Sequence, residues 1–148
     1  MKILPICTAI ILTCFLSFIS CKNDDSPSVT EVERVKNLLI GNTSIGTQWN
    51  VASVTVDGID YTDEFVGLTL TFSEGSVTST NGKAVFDSSD SWAFTDESAS
   101  IISTGSTGLQ ITIQNISNNS LVLSFILDED VYGRSEAVAG ENVFTFTR

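Results

Sequence analysis

The chain has no histidine, and only three cysteines and two prolines in 148 residues. Without imidazole there is no Ser-His or Cys-His nucleophile pair, no common general base and none of the usual zinc sites. Two of the cysteines, Cys7 and Cys14, fall inside the apolar first twenty residues, which leaves Cys21 as the one thiol beyond them. Once that segment is removed, no intrachain disulfide can form. Basic side chains are scarce as well: seven Lys and Arg stand against eighteen Asp and Glu, for a formal net charge of −11. Losing Lys2 with the first segment makes the remainder one unit more negative. Such a surface repels nucleic acid and anionic head groups, so neither is expected as a partner. No phosphate loop or dinucleotide fingerprint is present, and no cofactor is implied.

What is there begins with Met1-Lys2, then an uncharged apolar stretch from Ile3 to Ile19, then Ser20 and Cys21. That is the outline of an export signal over residues 1–20. A retained helical anchor is the alternative, since the stretch is almost long enough to span a bilayer. Pro5 interrupts it, however, and the polar run Lys22 to Pro27 follows the cysteine directly, which favours cleavage.

Leu16-Ser17-Phe18-Ile19-Ser20-Cys21 resembles the lipobox of bacterial lipoproteins, with a small residue just before the cysteine. The resemblance implies that Cys21 is acylated and becomes the first residue of the mature protein. A thiolate is the strong nucleophile that lipid transfer needs, and each buried methylene adds about 0.8 kcal/mol of membrane affinity. The membrane is then a partner through this lipid and not through the acidic protein surface. Lys22-Asn23-Asp24-Asp25 is similar to the signal that carries lipoproteins of Bacteroidota to the outer face of the outer membrane, although a plain solvated tether reads the same way.

Residues 21–29 are expected to be a lipidated cysteine and flexible acidic tether. Thr30-Glu31-Val32-Glu33 forms a capping box, and Val32, Val35, Leu38 and Leu39 recur at helical spacing before Gly41, so residues 30–41 predict one short amphipathic helix. From Gln48 the period changes to two. Leu68, Leu70 and Phe72 alternate with Thr and Ser, and Leu109, Ile111 and Ile113 alternate with Gln and Thr. Leu121 to Leu127 is apolar on both faces and predicts a more buried strand. Trp49 and Val51 lie in one phase and Val54 and Val56 in the other, which a bulge near Ala52-Ser53 reconciles. Further short strands are expected at Ser76 to Thr80, Ser91 to Asp96, Ser100 to Ser103 and Val143 to Arg148. Turn signals fall at Asp57-Gly58, Asn81-Gly82, Gly105 to Gly108 and Asn118-Asn119, with Asn81-Gly82 the strongest hairpin signal. The fold class is all-β: about eight antiparallel strands in an up-and-down barrel, with a β-sandwich as second choice.

Trp49 to Val54, Gly67 to Phe72, Thr78 to Gly82, Trp92 to Asp96 and Phe144 to Arg148 together resemble the lipocalin-like lipoproteins of Bacteroidota over residues 46–148. The resemblance implies a barrel and a cell-envelope address more than an activity. Lipocalins carry Gly-x-Trp on the first strand and close the barrel with an arginine stacked on that tryptophan. Here Gly46-Thr47-Gln48-Trp49 is one residue longer, and Arg148, in phase with Phe144 and Phe146, is the candidate partner of Trp49. A frayed terminal Arg148 in water is the alternative.

Carboxylate pairs for glycoside cleavage would have to come from Asp63-Glu64, Asp96-Glu97 or Asp128-Glu129-Asp130. These read more simply as solvated loop residues, and no catalytic role is assigned. Residues 57–64 and 128–130 are acidic enough to consider calcium, but neither follows EF-hand spacing, and no metal site is assigned. The expected inward set of Trp49, Leu70, Phe72, Trp92, Phe94, Ile111, Phe125, Phe144 and Phe146 either lines a pocket for a small hydrophobic ligand or fills a solid core. A cavity above about 300 Å³ would favour a carrier. A filled interior with exposed Tyr61, Phe65 or Tyr132 would favour an interaction module that contacts an envelope protein or glycan through its outer surface. Oligomeric state is left open.

Overall fold

Thr30 caps the first helix: its hydroxyl accepts from the Glu33 amide at 3.2 Å. In the computed structural model, which describes residues 29–42, 45–82, 85–128 and 139–148, the helix α1 runs Glu31–Ile40. The expected export segment, Cys21, most of the expected tether and Tyr132 lie outside the described residues. An Arg34–Glu31 ion pair bridges one turn. Gly41, at φ 70°, ends the helix and donates its amide to Asn37 O at 3.0 Å. Val35 and Leu39 carry the buried side of α1.

Among the described residues nine antiparallel strands follow: β1 (Thr47–Val56), β2 (Ile59–Asp60), β3 (Thr69–Ser73), β4 (Ser76–Thr80), β5 (Ser89–Phe94), β6 (Ile101–Thr104), β7 (Gln110–Ile116), β8 (Ser120–Leu127) and β9 (Gly140–Thr147). Neighbours in sequence are neighbours in the sheet from β3 to β9, and β9 returns to pair with β1, closing an eight-stranded barrel. The two-residue β2 is an extra strand, held as a hairpin on the far end of β1. Asp57-Gly58, at φ 48° and 78°, makes that hairpin's turn.

The phase change in β1 is a bulge. Its register with β9 shifts between Val51 and Ser53, so one side of Ala52 faces the core through Trp49 and the other through Val54 and Val56. β1 thereby pairs with β3 through residues 47–50 and with β9 through residues 50–56.

Three local features go beyond the alternating pattern. Asn81-Gly82 does not close a two-residue hairpin, because β4 and β5 pair as Thr78↔Ser89 and the connection is longer. Gly82 O accepts from the amides of Val85 and Phe86, and burying those apolar side chains against the core outweighs a tight turn. In β8, Ile126 is 68% exposed, so only the face bearing Leu121, Leu123, Phe125 and Leu127 is fully dry. A barrel strand has one interior side, and no layer among the described residues covers the other there. Phe65, whose exposure would have marked an interaction surface, is instead 1% exposed. A single 3-10 turn at Thr62–Phe65 tips its ring against Phe144, at 5.0 Å between centroids.

Candidate functional site

Of the residues expected to face inward, Trp49, Leu70, Phe72, Trp92, Ile111, Phe125, Phe144 and Phe146 are all buried in one cluster, and Phe94 is half-buried against it. Their rings touch in series: Phe72 meets Trp92 edge-on at 5.8 Å, and Trp92 meets Phe94 at 5.2 Å. Phe125, Phe144 and Phe146 stack along the β8–β9 side at 5.6 and 6.1 Å. Trp92 cannot be buried without satisfying its N–H, which donates to Ser73 O and Ser76 O at 2.9 and 3.0 Å. Beside this cluster lies a partly open void of about 30 Å³, lined on one side by Leu70, Phe86 and Leu127 and on the other by Ser79, Asp87 and Asp90. That is room for about one water, far below the 300 Å³ and more of a small-molecule pocket.

The two mouths of the barrel differ. At one, α1 lies across the opening, packed against β3 and β7, which stand on opposite sides of the ring. Leu39 is fully buried beneath it. The helix has no basic residue in its last turn, so its terminal carbonyls draw donors from the barrel. The indole N–H of Trp49 donates to Leu39 O at 3.0 Å, and Arg148 Nη1 to Leu38 O at 3.3 Å. Arg148 also donates from Nε to Asn118 O, and its guanidinium carbon sits 4.8 Å from the Trp49 ring centroid. Gly46-Thr47-Gln48-Trp49, for all its extra residue, therefore leaves the indole under a cation. Lys36 reaches Glu74 in the β3–β4 turn at 2.6 Å, fixing a further point of the helix.

At the other mouth the interior turns polar. Asn142 is fully buried on β9 and donates to Gly140 O at 2.9 Å. Ser79 Oγ holds the 81–88 connection through Phe86 O and Asp87 O, at 3.1 and 2.9 Å. The Phe86 ring then enters the barrel edge-on to Phe125 and Phe144, at 5.8 and 5.2 Å. Asp90 accepts from the Ser106 amide and hydroxyl at 3.0 and 2.6 Å, joining two loops at the rim. Phe65, Phe86, Ser79 and Asn142 were missed as interior residues. Phe65 and Phe86 sit in connections with no alternating pattern, and the in-phase position of Asn142 with Phe144 was the one signal available.

Three of the acidic side chains, Asp57, Asp60 and Asp96, hold turns and strand ends. Asp96 accepts from the hydroxyls of Ser98 and Ser100 and from the amides of Ser100 and Ile101. The Ser98 hydroxyl, then that of Ser100, hold its carboxyl well below the usual carboxylate range. Thr62 lowers Asp60 in the same way. Asp57 Oδ1 accepts from the Glu141 amide at 2.9 Å. Asp63 and Glu64 sit on the 3-10 turn, while Glu129 and Asp130 lie outside the described residues. Among the described residues no three His, Cys, Asp or Glu side chains are placed to hold a metal ion, and no helix there is long and apolar enough to cross a membrane. No family model matches this chain, and no curated protein or solved structure is similar to it.

Proposed function

We propose that this chain is a non-catalytic, lipid-anchored cell-envelope protein of the lipocalin-like kind, in which the barrel is a solid scaffold that contacts an envelope protein or glycan through its outer surface. The observation that favours a scaffold over a carrier is the filled interior, with a void of about 30 Å³ where a ligand would have to sit. The anchor rests on the residues around Cys21 and on the uncharged apolar run before it. The surface carries the same message in reverse. With net charge −11 it has no affinity of its own for an anionic membrane, so a lipid has to hold it there.

Two measurements test this reading. Growth of the host with an alkyne-bearing fatty acid should label the wild-type protein and leave Cys21→Ser unlabelled and outside the membrane fraction. An unlabelled wild type would end the anchor. Native mass spectrometry of protein purified from its own host should show the bare chain mass plus lipid. A stoichiometric small apolar molecule would restore the carrier reading.

A further inference from the structure

The acidic residues of this chain are not spread evenly over it. β1, β3, β4, β6, β7 and β8 contain no Asp, Glu, Lys or Arg, in a protein with eighteen acidic side chains. Among the described residues, charge falls on the helix, the strand connections and Arg148, with Asp60 on β2, Asp90 on β5, whose register with Val77 turns it toward the interior, and Glu141 at the start of β9. The outer wall over β3 and β4, with the first half of β1, presents hydroxyls and amides, whereas β9 adds Val143 and Glu141 further along.

Register places these groups in rows. Gln48 of β1 lies beside Thr71 of β3, Thr71 beside Thr78 of β4, and Thr78 beside Ser89 of β5. In the next row Thr80 lies beside Thr69, Thr69 beside Asn50, and Asn50 beside Thr147 of β9. Neighbours in a row are spaced about 4.8 Å apart and the rows about 6.6 Å apart, from strand geometry alone. Gln48, Asn50, Thr78, Thr80, Ser89 and Thr147 are exposed, and Thr69 and Thr71 half-buried.

We propose that this wall is a docking surface for a neutral, hydroxyl-rich polysaccharide. The inference rests on the reading of the domain as an interaction module and names its partner. Protein interfaces centre on Trp, Tyr, Met or Arg anchors, and these rows contain none, which disfavours a protein or a second copy of the chain. An anionic glycan would meet a strongly negative protein, and none of the residues in these two rows is a cation. Hydroxyls and amides both donate and accept, so the matching chemistry is another surface of neutral hydroxyls. Each such bond is worth only about 0.5 to 1.5 kcal/mol net. One sugar therefore binds negligibly, and the partner has to be a polymer that engages several rows at once. The rows lie on the side of the barrel and begin beside the α1 mouth, where Arg148 follows Thr147.

The test is affinity electrophoresis of the full chain in neutral detergent, through native gels cast with dextran, mannan, a β-glucan or the host's own neutral polysaccharide. Retardation is expected in at least one neutral polymer, absent in alginate, and unchanged between about 50 and 500 mM salt, because no charge is paired. The pair Thr71→Val, Thr78→Val keeps shape and strand propensity and should weaken retardation about fivefold or more. Thr78→Glu, at an exposed position, should abolish it while leaving the melting curve in place. Absence of retardation across the panel, loss of it in high salt, or equal retardation of the variants would each overturn the proposal. A protein partner recovered in the same host, with no retardation in any gel, would remove this inference and leave the module reading standing.

Discussion

Replacing Arg148 by Ala removes one side chain that joins three parts of the fold. The guanidinium covers the Trp49 ring at 4.8 Å, a geometry worth about 1 kcal/mol where solvent still reaches the cation. It also donates to the carbonyls of Leu38 at 3.3 Å and of Asn118. Charged donors give about 1.5 to 3 kcal/mol each when buried, but Arg148 is exposed and terminal, so the two together contribute about 1 kcal/mol. The expected loss is about 2 kcal/mol, or a fall in Tm of roughly 8 to 15 °C for a domain of about a hundred residues. Calorimetry on the full chain in detergent reads the Tm. Hydrogen exchange adds a local measure: the α1 amides should exchange faster than those of β8 and β9, because Leu38 O loses its cap while the sheet keeps its ladder. Arg148→Lys should fall between, retaining the cation and losing the planar fork. A Tm within about a degree of wild type, with unchanged exchange in α1, would refute both the closure and the capping roles.

Two further outcomes follow from the opposite mouth and the loops. Phe86→Ala should cost about 2 kcal/mol, less than the 3 to 5 of a fully buried phenylalanine because the ring is half-exposed. It should also enlarge the adjoining void to the order of 150 Å³, a size at which an apolar cavity admits xenon or benzene. No xenon uptake and an unchanged Tm would show that the ring does not occupy the barrel. Asp96 has a folded pKa below its unfolded value, so its contribution is complete above about pH 4 and is lost as pH falls through the folded value. Asp96→Asn should therefore flatten the acid limb of a plot of Tm against pH below about pH 4, and an identical limb in both proteins would contradict the loop-locking role.

The closed sheet was legible because alternation is a property of single strands. Leu68, Leu70 and Phe72 face inward as their spacing implies, and the reversed phase between Val51 and Val54 marks the β1 bulge. What alternation cannot carry is anything that depends on a third element. Phe65 and Phe86 enter the core from connections, where no period exists to expose them. Ile126 reads as a buried residue until the barrel assigns that side of β8 to the outside. The candidate lining residues were legible as apolar and in phase, yet whether they enclose space depends on how many rings meet at the axis. The rows of hydroxyls were present in the letters too. Only the cross-strand register lines Thr71 up with Thr78 and Thr69 with Thr80.

The seam between β1 and β9 has a kinetic meaning. Hairpins from β3 to β9 join segments close in sequence and can form as they emerge, but Val51 pairs with Phe146 and Asn50 with Thr147 across most of the chain. Loop closure of that length is slow, and it comes last. Until it happens, β1 offers an unpaired edge to any other chain, as does the sheet that awaits it. A chain that crosses a membrane unfolded would spend that interval exposed to aggregation, and the bulged first strand, shared by two neighbours, is where the interval ends.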